Sequence, residues 1–227
     1  MTDKTEQKFL DAALKLFAEE GYIGTTTMSI AEEAGFSEKT LFRKFKTKEN
    51  LFNRVMDQNN ERLREEFNSV LIDKKFKDPE DFLETLIKNL AKLTDNNYEF
   101  FSLSANERKK ISKPITEEFT SVLGKYLEKN MTNKEVDYQI FAMNILAFIY
   151  MINDEKYYRG ASFKYKKVLE KFISNSVHCI RSNYCLILPF LLFGPGIRVF
   201  NYDIFSYSID TGSLVTILFK LGTLFAN

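Results

Sequence analysis

Residues suited to metal, redox or nucleophilic chemistry are scarce in this sequence. The 227 residues include two cysteines, Cys179 and Cys185, and one histidine, His178. Neighbouring residues on a helix point about 100° apart, so His178 and Cys179 do not form a joint ligand pair, and no further ligands stand at metal spacing. The nine glycines are scattered and form no phosphate-binding loop. We therefore expect no enzyme, no metal site and no cofactor.

Export signals and a strong net charge are also missing. Two cysteines are too few for a disulfide framework, and the first ten residues, MTDKTEQKFL, lack the apolar run of a secretory signal. We therefore expect a cytoplasmic protein. The chain carries 32 basic and 31 acidic residues, for a net charge of +1. Such a chain has no strong overall attraction for nucleic acid, so any DNA binding must depend on local charge.

The chain does have a helical repeat of apolar residues up to about residue 181. The repeat and its flanking start and stop signals predict helices over 5–20, 25–34, 37–45, 48–71, 80–93, 98–109, 114–129, 134–152 and 163–180. No strand alternation of useful length occurs before residue 180. A hydrophobic content of 44% is enough for a substantial core. The sequence therefore predicts an all-α protein.

The second and third predicted helices have the spacing of a helix-turn-helix. Thr26 and Ser37 are suited to cap their first turns, and Gly35 lies between them, where a left-handed turn needs no side chain. A small residue, Ala31, precedes the turn, and an apolar residue, Leu41, follows it. This spacing predicts a three-helix head whose third helix enters the major groove of DNA.

Local charge supports this interpretation. Residues 36–54 contain six basic side chains and two acidic ones: Lys39, Arg43, Lys44, Lys46, Lys48 and Arg54 against Glu38 and Glu49. Phosphates of a bound duplex would pass along such a surface. The alternative is that these lysines form the solvated face of an ordinary helical bundle.

Three segments in this region resemble the TetR family of one-component regulators. They read AALKLFAEEGY, TTTMSIAEEAGFSEKTLFRKF and KTKENLF. The resemblance implies a DNA-binding head over residues 1–47 and a helical-bundle ligand-binding and dimerisation domain over 48–181. The function that it implies is a transcriptional regulator, typically a repressor that a small-molecule effector releases from a palindromic double-stranded DNA operator.

The resemblance also implies roles for individual residues. Thr26 and Lys48 would touch phosphate, and Arg43 would face the groove. The family usually has tyrosine at the position of Phe42, whose ring cannot donate a hydrogen bond to phosphate. The residues that we predict to contact DNA are Thr26, Thr27, Ser37, Glu38, Lys39, Thr40, Phe42, Arg43, Lys44 and Lys48.

The body of the chain offers surfaces for a partner and an effector. Helices 134–152 and 163–180 are predicted to pair with those of a second copy in a four-helix interface, although both also suit an internal core. Aromatic residues there are candidates for an apolar effector pocket or for plain core: Phe100, Phe101, Phe119, Tyr126, Phe141, Phe148 and Tyr150. A helix-turn-helix protein without an effector, such as a nucleoid or recombination accessory factor, is the alternative function.

The last 46 residues differ in composition from the rest of the chain. They contain four charged side chains, Arg198, Asp203, Asp210 and Lys220. The uncharged window 182–197 is interrupted by prolines and glycines, so we do not expect a membrane-spanning helix there. This apolar tail, residues 182–227, is interpreted as a packed segment, a membrane-associated segment or an out-of-frame end.

Overall fold

The computed structural model describes residues 3–71, 76–107 and 115–181. Within these ranges the chain is all-α and contains no strand, which confirms the predicted fold class. The helices are α1 (Lys4–Gly24), α2 (Thr27–Ala34), α3 (Glu38–Phe45), α4 (Lys48–Val70), α5 (Pro79–Asn96), α6 (Tyr98–Asn106), α7 (Ile115–Asn130), α8 (Tyr138–Arg159) and α9 (Tyr165–Arg181). The apolar tail lies outside the described residues.

Helix α1 begins at a side-chain cap and ends at a glycine. The Asp3 carboxylate accepts hydrogen bonds from the Thr5 and Glu6 backbone N–H groups at 2.9 and 2.8 Å. Gly21 has a φ of 74°, so the regular helix ends where the sequence predicts, although a further turn continues to Gly24. Left-handed backbone of this kind favours glycine, because it has no Cβ.

Helices α2 and α3 end at the predicted residues and begin directly after the predicted caps, two residues and one residue later than the predicted ranges. Thr26 and Ser29 form a reciprocal capping box at the start of α2, and Gly35 ends that helix with a φ of 76°. The Ser37 hydroxyl accepts the Thr40 N–H at the start of α3. Local capping chemistry therefore sets the angle between the two helices.

An aromatic cluster holds these three helices together as one head, which we define as α1 to α3. The buried Phe9 ring lies 5.3 Å from the ring of Phe36 and 5.9 Å from that of Phe45. Ile30 and Leu41 are fully buried beside it. These side chains form part of the buried core.

Helix α4 connects the head to the rest of the molecule, which we call the body (α4 to α9). The Thr47 hydroxyl caps its first turn by accepting the Asn50 N–H at 3.0 Å. Phe52 on its first half packs edge-on against Phe17 of the head, with ring centroids 5.5 Å apart. Phe67 on its second half stacks on Phe119 of α7 at 4.0 Å. One helix thus spans both parts.

Helix α8 differs from its predicted range of 134–152. It starts later, because Asp137 caps it by accepting the N–H groups of Gln139 and Ile140. It also continues for two turns after the apolar pattern stops at Ile152. Those turns are held from outside, since Lys156 pairs with Asp95 of α5 at 2.6 Å. Tertiary contacts therefore extend a helix that periodicity alone would end.

Helix α6 joins the body to the head at a second place. It packs along α1, and the Glu107 carboxylate that follows it accepts the Tyr22 backbone N–H at 2.8 Å. The Tyr22 ring packs edge-on against Phe52 at 5.2 Å. The end of α1 therefore contacts both α4 and α6. Among the described helices, none is long and apolar enough to cross a membrane.

Candidate nucleic-acid interface

Helix α3 carries two cationic side chains on the side that faces away from the core. Leu41 and Phe45 are its buried residues, and Lys39 and Arg43 lie roughly 160° and 200° around the helix from Leu41 at about 3.6 residues per turn. Both cations are exposed. Within the described chain, neither side chain makes a hydrogen bond or an ion pair, whereas several of their neighbours do. Lys39 and Arg43 are thus available to an anionic or hydrogen-bonding partner.

The other polar side chains of α3 are held within the head. The Thr27 hydroxyl donates to the Glu38 carboxylate at 2.6 Å, which ties the start of α2 to the start of α3. Lys44 forms an ion pair with Asp3, and this hydrogen bond, together with backbone N–H groups, lowers the pKa of Asp3. These contacts orient α3 and shorten the reach of Glu38 and Lys44.

The predicted phosphate-binding residues Thr26 and Lys48 also have partners inside the molecule. The Thr26 hydroxyl accepts the Ser29 N–H at 3.0 Å. The Lys48 ammonium donates to the Thr25 carbonyl and lies 4.4 Å from the centroid of the Tyr22 ring. Lys48 therefore points toward the junction of α1, α2 and α4. Its phosphate contact stays a prediction.

Exposed apolar side chains on the head form a feature that the sequence reasoning largely missed. Met28 is 59% exposed on α2, and Phe42 is 42% exposed on α3. Helical periodicity does predict an exposed Met28, because it lies roughly 200° around α2 from the buried Ile30. Phe42 is one of the predicted DNA contacts, and its ring lacks the hydroxyl that the family usually has at this position.

Comparison with known proteins shows which proteins the head resembles. Residues 9–55 match the family model for bacterial regulatory proteins, tetR family. A 54-residue stretch is 46% identical to the uncharacterized HTH-type transcriptional regulator YvkB of Bacillus subtilis (strain 168). That match covers 24% of this chain and 29% of the relative's length.

The N-terminal part of the chain, residues 9–55, is thus similar to the TetR family. The fold of the chain is similar to that of the fatty acid degradation regulator FadR from Bacillus halodurans, with a TM-score of 0.60 and 16% identity over 78% of this chain and 96% of that one. It is equally similar to AibR, solved in complex with isovaleryl coenzyme A and operator DNA, with a TM-score of 0.60 and 15% identity over 75% of this chain and 96% of that one. At these identities the likeness shows the fold alone.

The aromatic residues predicted for an effector pocket pack in several places within the body. Phe101 lies between Phe100 and Tyr150, at 6.4 Å from each ring. Phe119 stacks on Phe67 of α4, and Phe148 stacks on Phe172 of α9 at 3.9 Å. Tyr126 contacts Phe82 of α5 at 5.6 Å, and Phe141 is buried. Helix contacts therefore account for most of these rings.

The body also contains a buried amide. Asn153 of α8 is fully buried, and its amide nitrogen donates a long hydrogen bond of 3.4 Å to the Ala91 carbonyl of α5. Its amide oxygen has no partner in the part of the chain that the structure describes. A buried acceptor without a donor is costly to the folded state.

Proposed function

We propose that this protein is a DNA-binding transcriptional regulator that binds a palindromic operator as a homodimer. The observation that carries the proposal is the outward face of α3, where Lys39 and Arg43 lie opposite the buried Leu41 without partners within the described chain. A major groove admits a helix, and guanine presents two acceptors to such cations. The head, residues 1–47 in our proposal, is the part that binds.

A homodimer follows from the small size of one head and from the surface of α8. A single helix-turn-helix makes too few contacts for useful specificity, and paired heads reach half-sites about 34 to 36 Å apart. Helix α8 leaves Ile140 and Met143 44% and 42% exposed on one side. Such apolar exposure on a long helix suits a four-helix interface with α8 and α9 of a second copy.

We further propose that the body, residues 48–181, holds a small apolar effector whose binding releases the operator. The buried Asn153 oxygen offers one polar contact in apolar surroundings, as small-molecule sites commonly do. AibR, which shares the fold, is described with isovaleryl coenzyme A and operator DNA together. Effector binding would favour a dimer whose head separation no longer fits the operator. The protein would repress transcription while it is bound to the operator, and that release would end the repression.

Selection of DNA by the purified full-length protein tests the proposal. We expect the selected site to be palindromic, and we expect the affinity of the protein for it to fall steeply as the salt concentration rises. Arg43→Ala should relax base preference at one position of each half-site and cost about 1 to 3 kcal/mol. Lys48→Ala should weaken all sequences alike and reduce the salt slope by about 1. If Lys48 acts only through Thr25 and Tyr22, affinity will fall while the slope stays unchanged.

The effector is tested separately with the operator found in this way. Isovaleryl coenzyme A and short fatty acids are suitable first probes, and the readouts are release from DNA and a rise in melting temperature. A regulator without an effector, the second candidate function, would bind the same DNA and respond to no small molecule. Failure to select any DNA would instead refute the proposed function itself.

A further inference from the structure

Phe42 is an exposed aromatic ring on the helix that we place in the groove. It lies roughly 100° around α3 from the buried Leu41 and roughly 100° from Arg43, so it flanks the outward cations. It shares this flank with Glu38, one turn earlier, whose carboxylate is tied to Thr27. The ring is 42% exposed and carries no hydrogen-bond donor. It therefore cannot contact phosphate as a tyrosine would.

The rest of α3 leaves few groups that can read bases. Ser37 and Thr40 bond to each other at the helix start, with their hydroxyls 3.0 Å apart. Glu38 and Lys44 are held by Thr27 and Asp3. The outward surface thus consists of two cations and one apolar ring.

These three groups have distinct complements in the major groove. Arginine and lysine match the O6 and N7 acceptors of guanine, whereas the thymine C5-methyl is the apolar feature available to a phenyl ring. Consecutive helix residues advance by about 1.5 Å, and base pairs by about 3.4 Å. Side chains from neighbouring residues such as Phe42 and Arg43 consequently reach the same or adjacent base pairs.

We propose that Phe42 selects thymine by packing against its C5-methyl group, within about two base pairs of the guanine that Arg43 reads. This inference rests on the proposed function, since it requires that α3 enter the major groove. It assigns base readout to a residue whose family counterpart was expected to contact phosphate. The selected half-site should accordingly contain a guanine with a thymine close by.

Uracil substitution isolates the methyl group, because deoxyuridine differs from thymidine only in lacking it. Each thymine of the selected operator is replaced in turn, symmetrically in both half-sites, and the affinity of the full-length protein is measured by fluorescence anisotropy. We expect one position to lose about fourfold per half-site, the effect of one buried methyl group. Phe42→Ala should bind the thymine and uracil forms of that position equally well.

Met28→Ala is the matched control, because it removes a second exposed apolar side chain from the same head. It should keep the full uracil penalty. Circular dichroism and thermal melting establish that both variants are folded. The proposal is overturned if wild-type protein binds all uracil operators equally, if the selected site has no thymine near the guanine, or if Phe42→Ala retains the penalty. If no DNA is selected at all, the proposed function fails and this inference fails with it.

Discussion

Removing the Glu107 side chain should loosen the head from the body while leaving both folded. Gly21, with a φ of 74°, turns the chain out of regular helix just before Tyr22. The Glu107 carboxylate accepts the Tyr22 backbone N–H at 2.8 Å in a half-buried position. This hydrogen bond connects the end of α6 in the body with the end of α1 in the head. Glu107→Ala deletes it without touching the aromatic core of either part.

The size of the effect follows from the type of bond. Hydrogen bonds to charged groups contribute about 1.5 to 3 kcal/mol, and partial exposure reduces this bond to about 1 kcal/mol. A loss of that size lowers the melting temperature by about 2 to 4 °C in a chain of this length. Glu107→Gln keeps an oxygen acceptor but loses the charge, so we expect roughly half the change.

Operator spacing is the functional readout. Palindromes whose half-sites are moved apart by single base pairs measure how firmly the two heads are held. We expect the wild type to prefer one spacing sharply, whereas Glu107→Ala should bind several spacings with similar affinity. Binding to an isolated half-site should not change, because the groove-facing residues remain.

Glu99→Ala provides the control, since Glu99 is an exposed carboxylate on the same helix. It removes the same charge and should preserve the preference for one spacing. Unchanged spacing selectivity in Glu107→Ala, or equal losses in both variants, would refute the role assigned to the Tyr22 contact.

Two further predictions concern stability. Lys46, in the α3–α4 turn, has a φ of 68°, a backbone conformation that favours glycine. Lys46→Gly should therefore raise the free energy of unfolding, measured in urea, by about 0.5 to 1 kcal/mol. Lys46→Ala keeps the strain and should give no gain. Burial, and secondarily Asp95, raises the pKa of Tyr165 to about 12. The pKa of tyrosine in the unfolded chain is about 10, so the neutral Tyr165 stabilises the fold fully below pH 10. This contribution to the free energy of unfolding is lost as the pH rises toward 12. Tyr165→Phe should reduce that loss, as measured by unfolding curves at alkaline pH.

The head was predictable because its geometry depends on local signals. Thr26, Gly35 and Ser37 each act within four residues, through a cap or a left-handed turn. Such short-range interactions can be predicted from a single sequence. The buried residues of α4, such as Leu51, Val55 and Leu63, likewise recur at helical spacing.

Contacts between distant residues were not predictable in this way. The bond from Tyr22 to Glu107 spans 85 positions, and that from Lys44 to Asp3 spans 41. Periodicity shows that a side chain faces inward or outward, but it does not identify the partner. The aromatic residues expected to share a pocket illustrate this, since Phe119 and Phe148 pair with rings on different helices.

The two connections between head and body have different mechanical consequences. Helix α4 is continuous, with Phe52 packed in the head and Phe67 in the body, so it fixes the distance between them. A single connecting helix would still allow the head to rotate about the axis of that helix. The Glu107 contact at Tyr22 lies off that axis, and it therefore fixes the angle of the head. A shift of α6 by little more than a hydrogen-bond length would release the angle while α4 stays intact, because such bonds weaken steeply with distance and misalignment. Under the proposed function, we therefore expect control of operator binding to depend on α6 as much as on the long helix.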